Sequence, residues 1–191
     1  MAHAISRLIL VRHSMPEMDF TVSAHQWHLS DEGRCRCGRL ADLLADSNPV
    51  AIVSSGEPKA VETAQIVAER FGLRVEIEAD LHEHDRSGVG KLSAEEFQVA
   101  VAQLFAEPEA LVFGRETGVQ ARQRFADAID RVLARHAEGD VIVVAHGTVM
   151  SLFVADRAGV DGYALWRQLR LPCLIVLSLP DFALASVVHG V

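Results

Sequence analysis

Two short apolar runs in this chain each end in a histidine. Residues 8–11 lead directly into Arg12 and His13, and residues 141–145 lead into His146. A continuous apolar run of this length is typical of a strand that is buried on both faces. Ligands of open α/β sheets bind at the carboxyl ends of the strands. We therefore expect both histidines at one edge of a sheet, in a site suited to phosphoryl transfer.

The residue types at these strand ends match what phosphoryl transfer needs. A phosphoryl group carries nearly two negative charges, so its transfer requires cations, an in-line nucleophile and an acid for the leaving oxygen. The planar fork of Arg12 can hold two phosphate oxygens. Neutral His13 can attack phosphorus, and His146 can donate a hydrogen bond to the oxygens. Lys59 can add a cation, and Glu83 can protonate the leaving group and then deprotonate water.

The elements that must position these residues alternate between strand and helix. Apolar stripes at helical spacing predict helices that begin at Ser30, at Pro58 and after Thr117, and a further helix near residues 93–105. Another helix is expected from Gly147 to about Ala158. The alternation predicts an α/β fold, a three-layer α/β/α sandwich. Two closing strands joined through Pro180 predict a hairpin, so the mostly parallel sheet is expected to be mixed. We expect one domain over residues 1–191, with a small substrate-side insert around residues 86–115.

Composition narrows the classes of partner. The chain has 191 residues, 50% of them hydrophobic, and a net charge of -8. An acidic chain does not favour a broad nucleic-acid or membrane surface, although a local cationic pocket can still bind a small phosphorylated substrate. Three cysteines do not suggest a disulfide framework. No apolar segment approaches the ~20 residues of a membrane helix, and the first residues lack a signal-peptide pattern. We expect a cytoplasmic protein, with a homodimer as a possible state.

An ordered set of motifs is similar to those of one known family. Arg12-His13-Ser14 resembles the Arg-His-Gly signature of the histidine phosphatase superfamily, the phosphoglycerate mutase-like proteins. Four further segments resemble elements of the family and come in the same order. Residues 29–33 (LSDEG) resemble its Leu-Thr-x-x-Gly element, and residues 55–64 (SGEPKAVETA) resemble its Ser-x-x-x-Arg-Ala-x-x-Thr-Ala helix. Residues 81–83 (LHE) resemble its Leu-x-Glu element, and residues 146–147 (HG) resemble its second histidine motif. Residues 114–117 (GRET) are a weaker match to Gly-Glu-Ser/Thr.

The resemblance implies a phosphoglycerate mutase-like fold and a set of site roles. His13 is implied as the phosphorylated nucleophile, Arg12 and His146 as phosphate ligands, and Glu83 as the proton donor, without a metal or other cofactor. Gly147 belongs to the second histidine motif and is expected beside the phosphate.

Two positions depart from the family pattern. Ser14 stands where glycine is commonest, and its hydroxyl could donate to phosphate. Lys59 replaces the second arginine, which keeps the charge but loses the bidentate fork.

These observations predict a metal-independent phosphomonoesterase that acts through a phosphohistidine on a small phosphorylated metabolite. Residues 15–27 and 86–115 are expected to select the substrate. One alternative is a phosphoglycerate-type mutase, which the modest insert and the short tail disfavour. Another is a weakened site kept for binding phosphate or phosphoproteins. A metallohydrolase is a further alternative, but residues 82–85 (HEHD) lack the closing histidine of a metallo-β-lactamase-like ligand run.

Overall fold

Six strands form one mixed sheet in the computed structural model, which describes residues 6–136 and 138–191. The strands are β1 Arg7–Arg12, β2 Pro49–Ser54, β3 Val75–Ile77, β4 Asp140–Ala145, β5 Cys173–Ser178 and β6 Ala183–Val188. The helices are α1 Asp31–Leu43, α2 Pro58–Phe71, α3 Ala94–Ala106, α4 Gly118–Arg135, α5 Gly147–Ala158 and α6 Gly162–Gln168. Single 3-10 turns lie at Ala24–Gln26 and Ala79–Leu81.

The strand order is β3-β2-β4-β1-β5-β6, which places β1 and β4 in the middle of the sheet. Strand β1 pairs in parallel with β4, and Arg12 lies opposite Ala145. The first four strands in this order are parallel, whereas β5 and β6 run antiparallel to their neighbours. The predicted mixed sheet and its closing hairpin are therefore confirmed.

Helices cover both faces of the sheet. One face packs against α4 and α5, and its buried side chains include Leu8, Leu10, Val141, Val143, Phe125, Ile129 and Phe153. The opposite face packs against α1 and α2, and its buried side chains include Ile9, Val11, Ile142, Val144, Leu40 and Val67. Alternate residues of the two central strands thus enter different cores, which explains why both strands read as unbroken apolar runs. The predicted three-layer sandwich is confirmed.

The predicted helices agree with the structure, and one helix was not predicted. Helix α2 begins at Pro58 and is followed by Gly72, which caps its C-terminus in the left-handed conformation with a φ of 64°. Helix α3 begins with a capping box between Ser93 and Glu96. The additional helix, α6, has only seven residues, and its clearest sequence signal is the Asp161 cap. A helix this short depends on tertiary packing, so its pattern in the sequence is weak.

The start of α1 anchors the chain that follows the first histidine. Ser30 caps the helix by accepting from the Gly33 N–H at 3.0 Å, and its own N–H donates to the Met15 carbonyl at 3.1 Å. A Cβ atom on Gly33 would lie 2.1 Å from that carbonyl oxygen. Glycine is therefore required here because the helix and the loop after β1 come into direct backbone contact.

We predict opposite stability effects for two glycine substitutions in α1. Gly33→Ala should lower the free energy of unfolding by roughly 1–3 kcal/mol, because the Met15 backbone must move to admit a methyl group. Gly38→Ala, at an exposed position with no heavy atom within 4 Å of the new Cβ, should raise it. The expected gain is about 0.5–1 kcal/mol from helix propensity. Urea denaturation measures both values, and equal stability of the two variants would contradict the backbone contact.

Candidate active site

A cleft of about 730 Å³ opens at the carboxyl edge of the sheet. Its wall contains the five side chains that the sequence assigned to phosphoryl transfer, namely Arg12, His13, Lys59, Glu83 and His146. Strands β1 and β4 bring two of them together through parallel pairing, since the His13 N–H donates to the Ala145 carbonyl at 3.0 Å. The five side chains therefore meet at one edge of the sheet, as the sequence predicted.

His13 is held as a neutral imidazole with a defined tautomer. Its Nδ1 lies 2.7 Å from the Ser14 carbonyl oxygen. A carbonyl can only accept, so this contact assigns the proton to Nδ1 and leaves the lone pair on Nε2. Burial, together with the nearby charges of His146, Arg12 and Lys59, holds the pKa of His13 well below its ordinary value. The side chain therefore presents an unprotonated Nε2 near pH 7.

His146 lies beside His13, with 5.2 Å between the two ring centroids. Its Nε2 is 2.8 Å from Ser55 Oγ and 3.3 Å from Glu57 Oε1. Burial lowers the pKa of His146 to about 4, although the carboxylates of Glu57 and Glu83 oppose this shift. Its Nδ1 is buried and has no hydrogen-bond partner among the described residues. An unpaired buried polar atom is costly, so this nitrogen is suited to a ligand oxygen.

Arg12 is packed tightly against the start of α5. Its Nη1 donates to the Leu169 carbonyl, and its Nε is buried without a partner in the described part of the chain. A Cβ on Gly147 would lie 3.0 Å from both Cζ and Nε of this guanidinium. The glycine after His146 therefore makes room for the arginine. Gly147 itself is not among the residues that line the cleft.

The Glu83 carboxylate binds backbone N–H groups at the N-terminus of α5. One carboxylate oxygen accepts from the Thr148 N–H at 3.1 Å, and the other accepts from the Val149 N–H at 3.2 Å and the His84 N–H at 2.9 Å. Burial alone would raise the pKa of Glu83, but the charges of Arg86 and His146 and these backbone donors lower it to about 2. The group is therefore ionised at neutral pH and must gain a proton before it can act as an acid.

Lys59 lies inside the cleft wall and is paired there. Its Nζ donates to Glu57 Oε2 and to the Ala24 carbonyl, the latter at 2.6 Å. The cation predicted from the sequence is thus present at the site, with a carboxylate beside it. Its predicted contact with phosphate stays a prediction.

Ser14 does not have the environment that its predicted role in phosphate binding requires. It is fully buried and does not line the cleft. Its hydroxyl donates to the Gly33 carbonyl at 2.8 Å, and its N–H donates to Thr63 Oγ1 at 3.0 Å. The geometry supports a role for Ser14 in joining β1 to α1, and it does not support the predicted contact with phosphate.

Glu57 is a site residue that sequence reasoning missed. Besides Lys59 and His146, it contacts His25 Nδ1 at 3.1 Å and accepts from the Glu83 N–H at 3.0 Å. Burial would raise the pKa of Glu57, but the His25 hydrogen bond and the nearby charges hold it below its ordinary value. The only signal in the sequence was a carboxylate two residues before Lys59. Its role as a shared partner appears only when four separate segments meet.

Arg86 is a second site residue that the sequence did not identify. Its Nη2 donates to Thr148 Oγ1 at 2.8 Å, and its Cζ lies 4.6 Å from the Phe97 ring centroid. The same guanidinium is 3.4 Å from Glu83. Its Nε is buried without a partner among the described residues. A third cation, drawn from the predicted insert, therefore borders the site.

A partly buried ion pair between Arg124 of α4 and Glu116, just before that helix, supports the backbone around Glu83. Arg124 donates to Glu116 Oε1 at 2.6 Å and to the carbonyls of Asp80 and His82 at 2.6 and 3.0 Å. Glu116 Oε1 also accepts from the Asp85 N–H at 2.9 Å. The weak sequence match at residues 114–117 thus supplies a carboxylate that supports the Glu83 loop.

The fold and these motifs place the chain in a known family. A family model, the histidine phosphatase superfamily (branch 1), matches residues 8–183, and the chain belongs to this superfamily. The resemblance seen in the sequence is therefore confirmed.

Several relatives and solved structures are similar to the chain. The uncharacterised protein Rv0525 of Mycobacterium tuberculosis is 32% identical over 84% of this chain and 76% of its own length. Glucosyl-3-phosphoglycerate phosphatase of the same species is 28% identical over 85% of this chain and 84% of its own. The structure of Bacillus stearothermophilus YhfR superimposes with a TM-score of 0.77 at 21% identity, covering 97% of this chain and 98% of that one. The α-ribazole phosphatase of Shigella flexneri gives 0.75 at 21% identity, covering 96% of each chain.

Neither a membrane-spanning helix nor a cluster of metal ligands occurs among the described residues. Among residues 6–136 and 138–191, no helix is long and apolar enough to cross a membrane. Within the same residues, no group of three or more histidine, cysteine, aspartate or glutamate side chains is arranged to hold a metal ion.

We predict that removing the Glu57 carboxylate destabilises the protein. Glu57→Ala should lower the free energy of unfolding by roughly 3–5 kcal/mol, because Lys59 would remain buried without its counter-charge. Glu57→Gln, which keeps an oxygen acceptor, should cost less. Glu69→Ala, at an exposed position on the same helix, should change stability by less than about 0.5 kcal/mol. Urea denaturation at pH 7 measures all three, and a neutral Glu57→Ala would refute the role.

We also predict a loss of stability in mild acid. The pKa of His146 is about 4 in the folded protein, below its ordinary value of 6.5. Below pH 6.5 the unfolded chain binds the proton more readily, so the free energy of unfolding should fall as the pH drops from 6.5 to 4. His146→Asn should make this slope shallower. Urea titrations at pH 7, 5.5 and 4.5 measure it, and an unchanged slope in the variant would contradict a buried neutral imidazole.

Proposed function

We propose that the protein is a metal-independent phosphomonoesterase that transfers the phosphoryl group of its substrate to His13. The observation that carries the proposal is the state of His13, a buried neutral imidazole whose Nδ1 proton is held by the Ser14 carbonyl. This arrangement leaves Nε2 as a nucleophile at neutral pH. The substrate is a small phosphorylated metabolite.

The charge around the cleft suits a phosphate monoester. Four cationic side chains line it, namely Arg12, Lys59, Arg86 and Lys91, against the two carboxylates of Glu57 and Glu83. The chain as a whole carries a net charge of -8, so this is a local concentration of positive charge. Such a wall favours a dianionic group and stabilises charge on the transferring oxygens.

The reaction follows from these positions. Nε2 of His13 attacks phosphorus, the N–P bond forms, and the bond from phosphorus to the leaving oxygen breaks. Entry of the phosphate brings negative charge close to Glu83, which raises its pKa and lets it carry the proton for the leaving alcohol. Water then gives up a proton to Glu83 and attacks phosphorus, the N–P bond breaks, and inorganic phosphate leaves.

The relatives lend support at the level of reaction class. The curated relatives include glucosyl-3-phosphoglycerate phosphatase, and the similar structures include α-ribazole phosphatase. Both names describe hydrolysis of a phosphate monoester. A cytoplasmic location and a homodimer stay predictions from the sequence.

We predict that phosphate release depends on His13 and not on a metal. His13→Ala should lower turnover of a generic aryl phosphate by about a thousandfold or more, since the nucleophile is lost. Wild-type activity should survive a chelator. His28→Ala removes an exposed histidine that pairs with Glu62 outside the cleft, and it should retain full activity. Release of inorganic phosphate gives all three rates.

A labelling experiment separates this mechanism from its competitors. Wild-type protein quenched during turnover should carry an acid-labile, alkali-stable phosphoryl label that His13→Ala lacks. Full activity in His13→Ala, or loss of wild-type activity in chelator, would overturn the proposal. Isomerisation of a phosphoglycerate without release of phosphate would favour the mutase instead.

A further inference from the structure

The outer part of the cleft is built mainly from large apolar side chains. They come from the segment after β1 and from the insert between Glu83 and α4, and they include Met18, Phe20, Val22, Trp27, Phe97 and Phe113. The volume of about 730 Å³ is within the range of roughly 300–1,000 Å³ that is common for small-ligand pockets. The phosphate-binding wall therefore continues into an apolar chamber of a size that fits the rest of a substrate.

Exposed apolar surface is concentrated at this chamber. Among residues 6–136 and 138–191, ten large hydrophobic side chains are exposed, and four of them line the cleft: Met18, Phe20, Val22 and Leu92. Phe20 is the most exposed of the ten, at 70%. Contiguous exposed apolar surface on a monomer marks a binding site more often than single scattered residues do. Here the surface adjoins the reacting histidine, so its occupant is the part of the substrate attached to the phosphate.

The aromatic wall is held in place before any ligand binds. The Trp27 indole N–H donates to the Asp19 carbonyl at 2.7 Å, and the Phe20 ring meets Trp27 edge-on at a centroid distance of 5.9 Å. The Trp27 carbonyl in turn accepts from the Lys59 N–H at 3.1 Å. Aromatic rings that are already ordered lose little conformational entropy when an apolar group binds between them.

The chamber has few of the groups that recognise a sugar. Sugar hydroxyls need polar side chains that both donate and accept, yet no aspartate, asparagine or glutamine among the described residues lines this cleft. The lining has two hydroxyl side chains, Ser23 and Ser87, and that of Ser87 already donates to Asp85. Glu57 and Glu83 are occupied by the contacts described above. A polyhydroxylated leaving group would leave most of its hydroxyls without partners, at a cost for each.

We propose that the substrate is a phosphate monoester of an alcohol that carries an apolar, aromatic body, and that Phe20 helps to select it. This inference rests on the proposed phosphatase activity and adds the class of leaving group. The ring of the substrate packs among Phe20, Trp27 and Phe97 while its phosphate reaches Arg12 and His13. Lys91, whose Nζ lies 5.1 Å from the Phe20 ring centroid, keeps a cation at the rim of the chamber.

The test compares esters with the same kind of leaving oxygen. 2-Naphthylmethyl phosphate, ethyl phosphate and glucose 6-phosphate are all esters of primary alcohols. Differences in their rates therefore reflect the rest of the alcohol and not the higher reactivity of an aryl leaving group. Release of inorganic phosphate gives kcat/KM for each. We expect kcat/KM for the naphthylmethyl ester to exceed the other two by about tenfold or more, from burial of the ring.

Two variants then locate the recognition. Phe20→Ala should reduce the ratio of kcat/KM for the naphthylmethyl ester to that for ethyl phosphate by about tenfold, because an aromatic contact is lost. Leu43→Ala, which removes an exposed apolar side chain at the far end of α1, should leave the ratio unchanged.

The two failures can be distinguished. If glucose 6-phosphate is hydrolysed as well as the naphthylmethyl ester, or if Phe20→Ala keeps the wild-type ratio, the inference is overturned while the phosphatase stands. If no ester releases phosphate, the proposed function fails. Calorimetry with His13→Ala then still measures whether the naphthylmethyl ester binds more tightly than glucose 6-phosphate, and equal affinities would overturn the inference as well.

Discussion

The whole site depends on the parallel pairing of the two central strands. Because Arg12 lies opposite Ala145, the next residue of each strand is a histidine, and the two imidazoles meet with 5.2 Å between their ring centroids. Both are buried, and burial keeps both in the neutral form by lowering their pKa values. A shift of this pairing by one residue would turn the side chains to the opposite face of the sheet. His13 and His146 therefore meet only in this register.

Buried charge is the second constraint on the site. Lys59 and Glu57 form an ion pair in the wall of the cleft, and the same carboxylate contacts two histidines and the Glu83 backbone. A charged pair withdrawn from water is stable only when its remaining hydrogen-bonding capacity is met. Lys59, which stands where the family has an arginine, therefore belongs to a network that also joins the 3-10 turn Ala24–Gln26 to the start of α2. The position of residues 24–26 and the charge of the cleft wall are linked through Glu57.

Glu83 connects the site to the helix that follows β4. In the free protein its carboxylate accepts from backbone N–H groups at the N-terminus of α5, where the helix dipole also favours negative charge. A phosphate that enters the cleft brings a second negative charge close to this carboxylate. The resulting repulsion raises the pKa of Glu83, so binding and proton uptake occur together. This coupling explains how a group with a pKa of about 2 in the free protein could act as an acid.

Much of the fold and the core of the site were determined by the sequence alone. Apolar runs that end in Arg12, His13 and His146, helix caps and an ordered motif set were local signals, and they predicted the three-layer sandwich and the meeting of the histidines. The contacts of Glu57 and Arg86, the position of Ser14 and the apolar chamber were decided only by the tertiary structure. Each depends on packing between segments that are far apart in the chain, as when Ser14 donates to Gly33, 19 residues away, or Glu57 accepts from Glu83, 26 residues away. Such contacts leave no periodicity or spacing in the chain, because they result from packing between distant elements.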